Sequence, residues 1–500
     1  MSGRLVSALL LCAGLTACRA ANAPSTPAGV IVAFPSVPRS LVSYRSSDEF
    51  SASALRNAYE PLVDLGRDLS LVPCLAESWY SPDDLTWVFR LRRGVTFHDG
   101  RPLQAQQVAA VLREASADPA SRRSFRDIVS RIEAPDDGTV VVHTYQPSGM
   151  LHSVLNVTYI GLDSGVPGRP PVGTGPYRVA EWKPGQRLAL EAFEGHREGV
   201  PAIRRLEFRG VPDARERARL LRSGEADLAV DVPLEEMDAL AGTPGLRVAS
   251  RQGLRVVHLG MNVLAAGANP LRDRRVREAI ATAIDRPALV SGPQRGRADL
   301  MEELIPPEVF GHVGTLPARA YDPPRARRLL AEAGYASGFR TTLDYIHGRH
   351  QAIDAVAEAI AAALGQVGVK VEPRPATLEQ FRDRVSVRKE TALFLMGWLS
   401  ATGDAATTMG SLVRTPSGGG FGLYSTYSDA EVDRFLAEAS GLLGRAQRKT
   451  ALQEAATRVH DQVAVVPLYR QRDLYAFKER LDFDPRLDRR IRGQEIRWRP

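Results

Sequence analysis

Cysteine is scarce in this sequence, and its scarcity excludes several kinds of site. The 500 residues contain three cysteines, Cys12, Cys18 and Cys74, and no CxxC, HExxH or paired Cys/His cluster. A structural zinc site needs about four grouped Cys or His ligands, so no metal site of this kind is predicted. Cys74 has no disulfide partner, and a chain of this length buries a core large enough to fold without one.

Lysine is also scarce, although the chain is basic. Only five of the 65 basic residues are lysine, and the formal net charge is +7. The arginines are scattered among acids, as in the run Asp273-Arg274-Arg275. A nucleic-acid binder would gather its positive charge on one stripe and interleave it with aromatic residues. We therefore expect no nucleic-acid partner.

Long apolar runs are missing after residue 20, where no stretch approaches the roughly 18 apolar residues of a membrane span. The N-terminus differs. Arg4 is followed by the apolar residues 5–15, a pattern typical of a signal peptide. The next four residues, Leu15-Thr16-Ala17-Cys18, resemble the lipobox of bacterial lipoproteins.

The lipobox resemblance implies a lipid-anchored protein outside the cytoplasm, in the periplasm or on the cell surface. Residues 1–17 would be the signal peptide, Cys18 would be acylated, and residues 18–29, rich in Ala, Pro and Ser, would be a tether. The acyl chains would hold a soluble body near a bilayer. Ordinary secretion, with Cys18 merely near the cleavage point, is the alternative.

From residue 30 onward, short strand patterns alternate with helical patterns, which favours α/β or α+β layers in two or three domains. Residues 85–91 alternate apolar and polar side chains like a half-buried strand. Residues 273–286 carry apolar side chains at i, i+3, i+4, i+7 and i+8, as on one face of a helix. Further strands are predicted at 29–34, 139–142, 177–182, 227–230 and 367–372, and further helices at 212–224, 326–333, 352–364 and 428–442, the last with a capping pattern from Ser428 to Glu431.

Three local motifs are candidates for chemical sites. The loop at 173–177 (GTGPY) is glycine-rich, but Pro176 removes an amide and a strand follows, so a tight turn is favoured over phosphate binding. His98-Asp99 lacks an activated nucleophile, since GxSxG is absent, and a turn is favoured. His347 and His350 could share a metal, but they lack further ligands nearby.

Nine segments, taken in order, span nearly the whole chain after the tether. They are 59–63 (YEPLV), 71–79 (LVPCLAESW), 85–103 (LTWVFRLRRGVTFHDGRPL), 171–177 (PVGTGPY), 223–227 (SGEAD), 275–277 (RVR) with 283–286 (AIDR), 321–323 (YDP) with 329–335 (LLAEAGY), 427–433 (YSDAEVD) and 466–469 (VPLY). In this order they resemble the oligopeptide, dipeptide and nickel type solute-binding proteins of ABC importers, which are extracellular solute-binding family 5.

The resemblance implies an α/β, two-lobed periplasmic-binding-protein-like fold of type II, from the large cluster with an extra subdomain in lobe one. Lobe one would comprise residues 30–258, with the extra subdomain at about 60–165, and lobe two residues 259–467. Residues 468–500 would return to lobe one. Two rigid bodies joined by a hinge can bury a small ligand between them.

The resemblance also places the ligand site. In the family a Gly-Trp pair lines the cleft, and here it is Gly397-Trp398, followed by Ser400. Peptide binders carry an Asp three residues after that Trp, which pairs with the ligand's α-amine, whereas this chain has Ala401. Asp404 could substitute for it or could cap a loop. The remaining candidates are Arg255, Tyr424 and Phe34.

Each of these candidates has a structural alternative. Trp398 could stack on a ligand or fill lobe two, and Arg255 could bind a ligand carboxylate or lie in solvent. Tyr177 is expected to be structural.

We therefore expect a monomeric substrate-binding lipoprotein of an ABC importer. It would capture a peptide-like or other small solute by closure of its lobes and deliver it to a permease and ATPase complex. No enzyme activity, cofactor or metal is expected. The alternatives are an extracytoplasmic hydrolase and a ligand sensor carried on the same export signal.

Overall fold

The computed structural model describes residues 29–46, 48–118, 123–163, 165, 169–416 and 422–500. The predicted signal peptide, Cys18 and all of the tether except Gly29 lie outside the described residues. The α-helices are α1 (Glu49–Leu55), α2 (Ala105–Ala117), α3 (Arg123–Ile128), α4 (Leu151–Leu155), α5 (Ala214–Arg222), α6 (Met237–Ala241), α7 (Arg274–Ala283), α8 (Arg286–Ser291), α9 (Pro323–Glu332), α10 (Ile353–Gly365), α11 (Leu378–Arg382), α12 (Ala405–Leu412), α13 (Ala430–Gly441) and α14 (Arg445–Asp461). The strands are β1 (Gly29–Phe34), β2 (Glu60–Pro61), β3 (Val63–Leu65), β4 (Leu71–Pro73), β5 (Ala76–Asp83), β6 (Thr86–Leu91), β7 (Val129–Asp136), β8 (Thr139–Thr144), β9 (Tyr159–Ile160), β10 (Tyr177–Lys183), β11 (Arg187–Ala192), β12 (Arg205–Gly210), β13 (Leu228–Val230), β14 (Leu246–Met261), β15 (Ala298–Leu300), β16 (Phe339–Ile346), β17 (Val369–Ala376), β18 (Leu393–Leu399), β19 (Val465–Lys478), β20 (Leu481–Asp482) and β21 (Arg497–Trp498).

One large sheet runs through the molecule in the order β10-β11-β12-β1-β13-β19-β14-β18-β16-β17, with β15 paired to β19. Its two long strands, β14 and β19, pair antiparallel from Leu246 opposite Lys478 to Gly260 opposite Val465. Near one end β19 pairs with β13, and near the other end β14 pairs with β18. These two strands therefore carry the chain between two halves of the sheet.

We call the half with β1 and β10 to β13 lobe one, and the half with β15 to β18 lobe two. The pairing of β14 with β19 is irregular between Gln252 and Arg255 and between Val257 and His258. Irregular pairing bends and twists strands locally. The predicted change to lobe two after residue 258 falls on β14, and the predicted return after residue 467 falls on β19. The residue boundaries of the lobes stay a prediction.

A separate four-stranded antiparallel sheet, β5-β6-β8-β7, lies within the predicted extra subdomain. Strand β6 forms within the predicted range, but its burial does not alternate strictly: Val88 is buried along with Trp87, Phe89 and Leu91, and Leu85 just before the strand is exposed. Trp87, Phe89 and Leu91 join the buried residues of helix α2, among them Val108 and Leu112, in one apolar core. Burying a large apolar side chain stabilises by roughly 1.5–3 kcal/mol, so this small unit has a core of its own.

Most predicted elements are present, and two need correction. The helix predicted at 273–286 ends at Ala283, because Ile284 is extended and Asp285 begins a new helix, α8, by accepting a hydrogen bond from the Ala288 amide. In α13 the cap is Asp429 rather than Ser428, since Asp429 accepts from the amides of the next turn. Within the described residues, no helix is long and apolar enough to cross a membrane.

Candidate functional site

The predicted Gly-Trp pair lies on β18 at the junction of the lobes, directly beside β14. Trp398 pairs with Val256, and Gly397 pairs with Val257, so Arg255 is their neighbour on the adjacent strand. The Gly397 amide donates to Nε2 of His350 at 3.2 Å, and Nη1 of Arg255 donates to the Gly397 carbonyl at 3.5 Å. A Cβ at position 397 would lie 3.0 Å from both side chains, so glycine permits this close packing.

An aromatic edge of lobe two borders this junction. Trp398 and Tyr424 are half-buried, and their ring centroids are 6.0 Å apart at an interplanar angle of 65°. Burial raises the pKa of Tyr424, while the positive charges of Arg382 and Arg349 act to lower it. Both arginines are exposed.

A charged cluster on the lobe-one side lies next to Arg255. Arg255 is 7% exposed rather than in solvent, and its Nη2 donates to Glu49. Arg489 also binds Glu49, with Nη1 at 3.0 Å, and its Nη2 binds Asp231. Its Nε lies 3.0 Å from Oδ1 of Asp473. We call these residues the junction cluster: Glu49, Asp231, Arg255, Asp473 and Arg489.

Asp473 is the one member of the junction cluster that lies on β19. It is fully buried, and neither carboxylate oxygen accepts a hydrogen bond from a described residue. Burial raises the pKa of Asp473 to about 7, and the charge of Arg489 offsets only part of this effect. Gly253 leaves room for the carboxylate, because a Cβ there would lie 2.8 Å from both oxygens.

Asp404 lies away from the junction cluster, and its oxygens are occupied. It caps α12 by accepting from the Ala406 amide at 2.9 Å, and Arg448 binds it with Nη1 at 2.7 Å and Nη2 at 3.0 Å. Ser153 of the extra subdomain donates to Oδ2 at 3.1 Å. These contacts favour the capping interpretation, and a ligand-binding role for Asp404 stays a prediction.

Phe34 and Ser400 are buried among protein groups. Phe34 is 1% exposed and packs against Phe50 and Phe208, with centroids 5.4 and 4.9 Å away. Phe50 in turn lies under the Arg489 guanidinium, at 5.4 Å. Ser400 is 1% exposed, and its Oγ is 3.0 Å from Oγ1 of Thr408. Their roles as ligand contacts stay a prediction.

His347 and His350, the candidate metal ligands, have different partners. Nδ1 of His347 is 2.6 Å from Asp354, whereas His350 accepts from Gly397. Burial lowers the pKa of His350 well below its usual value, which keeps the imidazole neutral. Across the described ranges, no group of three or more His, Cys, Asp and Glu side chains is placed to hold a metal.

The other two motifs are structural. His98 uses both ring nitrogens on the 173–175 loop, at 3.1 Å to the Gly173 amide and 3.0 Å to the Gly175 carbonyl. A Cβ at Gly173 would lie 2.0 Å from the Ala58 carbonyl oxygen, so this loop needs glycine for a close backbone approach. The hydroxyl of Tyr177 is buried and donates to the carbonyl of Ile203.

Comparison with known proteins identifies the family. Residues 70–420 match the family model described as "Bacterial extracellular solute-binding proteins, family 5 Middle". The chain belongs to this family. The glutathione-binding protein GsiB of Pectobacterium atrosepticum is 31% identical over 470 residues, which is 90% of each chain. GsiB of Escherichia coli K12 is 31% identical over 466 residues, or 89% of this chain and 90% of that protein.

Solved structures show the same two-lobed fold. The dipeptide-binding protein of Pseudoalteromonas in complex with Met-Leu has a TM-score of 0.81 at 18% identity, covering 94% of this chain and all of that one. The Helicobacter pylori protein DppA in complex with the peptide STSA has a TM-score of 0.79 at 22% identity, covering 94% and 98%. The predicted α/β two-lobed fold is therefore confirmed.

Membership in family 5 settles the class of function. Family 5 proteins are extracytoplasmic, bind small solutes or peptides and work with an ABC permease. They are transport binding proteins rather than enzymes, so the prediction of a non-catalytic binding protein is confirmed by the family.

Sequence reasoning missed the junction cluster except for Arg255. Glu49, Asp231, Asp473 and Arg489 come from four distant segments, and none carries a local motif. Arg349 and Arg382 were also missed, although Arg349 lies between His347 and His350 in the sequence.

Proposed function

We propose that this family 5 protein binds a small anionic, peptide-like solute of the glutathione type in the cleft between its lobes. The observation that carries the proposal is the pair of exposed arginines, Arg349 and Arg382, whose charges act on Tyr424, and the contact of the Tyr424 ring with Trp398. Guanidinium groups bind carboxylates through charge-assisted hydrogen bonds, and flat apolar groups pack on aromatic rings. Glutathione offers two carboxylates and a flexible tripeptide chain.

The surroundings of position 401 also support an anionic ligand. Ala401 offers no counter-charge for a ligand amine, and Asp404 is bound by Arg448. Burying an ammonium without a partner costs several kcal/mol. Glutathione carries its α-ammonium next to one of its two carboxylates, so groups other than residue 401 must partner that ammonium, while its net negative charge suits a cleft with exposed arginines.

We further propose that residues 30–258 and 468–500 form lobe one, with the extra subdomain at about 60–165, and that residues 259–467 form lobe two. Closure is favoured to the extent that the ligand binds the closed state better than the open state. The closed protein then delivers its ligand to the permease and ATPase complex. It acts as a monomer anchored to a membrane by acylated Cys18.

Calorimetry on protein freed of ligand by unfolding and refolding tests the proposed ligand. We expect glutathione to bind, and to raise the free energy of unfolding by about 2.7 kcal/mol at a hundred times Kd. Arg382→Gln should weaken binding about 10- to 100-fold, the value of a charge-assisted hydrogen bond, and Trp398→Ala should weaken it comparably. Arg328→Gln, an exposed arginine on α9, is the matched control and should bind as the wild type does. Binding of neutral dipeptides but not glutathione would contradict the proposal.

A further inference from the structure

The lobes also touch at a second place, remote in sequence from the crossing strands. The extra subdomain reaches lobe two through residues 149–153, around the start of α4. The Gly149 amide donates to the carbonyl of Ser440 at 2.9 Å, and Ser153 donates to Asp404 at 3.1 Å. Ser440 lies on α13, and Asp404 caps α12. These hydrogen bonds therefore join two bodies that move relative to one another when a two-lobed protein opens.

Apolar contacts accompany these hydrogen bonds. Leu65, Leu69 and Met150 belong to the subdomain, yet they are buried in one apolar cluster with lobe-two side chains such as Met409 and Leu436. Met150 is 2% exposed, and its sulfur accepts from the Ser440 hydroxyl at 3.5 Å. Opening the lobes would expose these apolar side chains to water, which costs free energy in proportion to the area exposed.

Gly149 lies at a close approach between the two bodies. A Cβ on this residue would lie 2.4 Å from the carbonyl oxygen of Leu442 and 2.7 Å from Cδ of Arg448, both in lobe two. Its φ is not in the left-handed region, so glycine is required here by space rather than by backbone conformation. Separation of the lobes would remove that requirement.

Asp404 and Arg448 prepare the lobe-two side of this contact. Both are buried within lobe two, and their two hydrogen bonds hold the Asp404 carboxylate so that Oδ2 faces Ser153. The guanidinium of Arg448 also donates to the Ala439 carbonyl at 3.1 Å, which fixes its stem against position 149. The receiving surface is therefore formed by groups that are paired with each other within lobe two.

We infer that these groups form an interlobe latch, with Gly149, Met150 and Ser153 on the subdomain and Asp404, Ser440 and Arg448 on lobe two, which stabilises the closed state without touching the ligand. Contacts made in only one of two states shift the equilibrium toward that state. The apparent affinity for a ligand rises with the fraction of protein that is already closed. In the latch, Asp404 stabilises the closed lobes by accepting a hydrogen bond from Ser153 and does not bind the ligand's amine. The inference rests on the lobe boundaries proposed above.

Distance measurement between spin labels tests the latch. The labels are placed at Tyr145→Cys in the subdomain and Val387→Cys in lobe two, which are 64% and 74% exposed, in a Cys18→Ser background. Cys74 is buried and its pKa is raised to about 12 by burial, so it resists labelling. Protein freed of ligand should already populate a short, closed distance. Gly149→Ala should remove that population, because its Cβ would collide with the Leu442 backbone when the lobes close. In a separate titration it should weaken glutathione binding at least 10-fold.

The matched control is Gly138→Ala in the same subdomain, where a Cβ would meet only an Asp136 oxygen at 3.7 Å. It should leave the distances and the affinity at wild-type values. The double variant Met150→Ala with Ser153→Ala removes contacts without adding a clash and should give a smaller shift in the same direction. If Gly149→Ala lowers the melting temperature of the unliganded protein, its effect on the fold obscures its effect on closure. The distances in the double variant then test the latch.

The inference fails if ligand-free wild-type protein is entirely open, or if Gly149→Ala and the double variant show the wild-type distances. The measurement needs no ligand, so it stands even if glutathione proves not to bind. Failure of glutathione binding with an intact closed population would contradict the proposed ligand and leave the latch supported.

Discussion

The guanidinium of Arg489 lies 3.0 Å from the carboxylate of Glu49, although the two residues are 440 positions apart in the chain. Arg489 belongs to the C-terminal segment, and Glu49 begins α1 near the start of lobe one. The same guanidinium also binds Asp231 at the end of β13 and approaches Asp473 on β19. One side chain thus ties the C-terminal segment to three parts of the junction between the lobes.

Arg489→Met should destabilise the protein strongly. The guanidinium is nearly fully buried, and its removal leaves Glu49, Asp231 and Asp473 without their shared counter-charge. Breaking a buried ion pair by removing one partner costs about 3–5 kcal/mol. Urea unfolding followed by circular dichroism measures the change. Arg499→Met is the control, since its pair with Asp482 is half-exposed and worth less than about 1 kcal/mol. Equal stability of the two variants would contradict this account of the cluster.

The raised pKa of Asp473 predicts how stability depends on pH. In the folded protein its pKa is about 7, against 3.8 in the unfolded chain, so the native state holds a proton that the unfolded state has lost between these values. Stability contributed by Asp473 is therefore full near pH 4 and declines as pH rises toward 7, by at most about 1.4 kcal/mol per unit.

Asp473→Asn isolates this effect because asparagine does not titrate. The free energy of unfolding of the variant, minus that of the wild type, should rise between pH 4 and pH 7 and level off above it. Unfolding in urea at pH 5, 6, 7 and 8 measures this difference. Asp84→Asn, in an exposed turn, should show no such trend. A difference that stays constant from pH 5 to pH 8 would mean that Asp473 is ionised throughout.

The elements that the sequence predicts well are those in which one repeated spacing sets the burial. Helix α7 repeats an apolar face over ten residues, so its local pattern and its burial agree, whereas in β6 Val88 is buried between Trp87 and Phe89 against the alternating pattern. The end of α7 was misplaced because the apolar spacing continues through Ile284, while Asp285 and Pro287 start a second helix. The cap formed by Asp285 starts α8 and thereby ends α7, although the apolar spacing alone would continue α7.

The site was predictable only in part, for a physical reason. Gly397 and Trp398 were found through a family motif that stays together in the sequence, and their contact with Arg255 follows from pairing of β18 with β14. The partners of Arg489 depend on the sheet order β13-β19-β14, which is not chain order. Likewise, nothing local links Asp404 to Arg448, which lies 44 residues later on α14. Charge pairs of this kind become visible only when the fold brings the segments together.

The lipid anchor is the remaining prediction, since Cys18 lies outside the described residues and depends on the Leu15-Thr16-Ala17-Cys18 pattern alone. Expressed in a bacterium, the wild-type protein should lose residues 1–17, carry the mass of acyl chains on Cys18 and sediment with membranes. Cys18→Ser should yield protein without acyl mass in the soluble fraction, because stable anchoring needs buried hydrocarbon chains. Cys74→Ser is the control, since the buried Cys74 thiol has no part in acylation and that variant should stay with the membranes. Intact-mass spectrometry of the membrane and soluble fractions distinguishes these outcomes. Wild-type protein cleaved at another position, or free of acyl mass, would instead establish ordinary secretion.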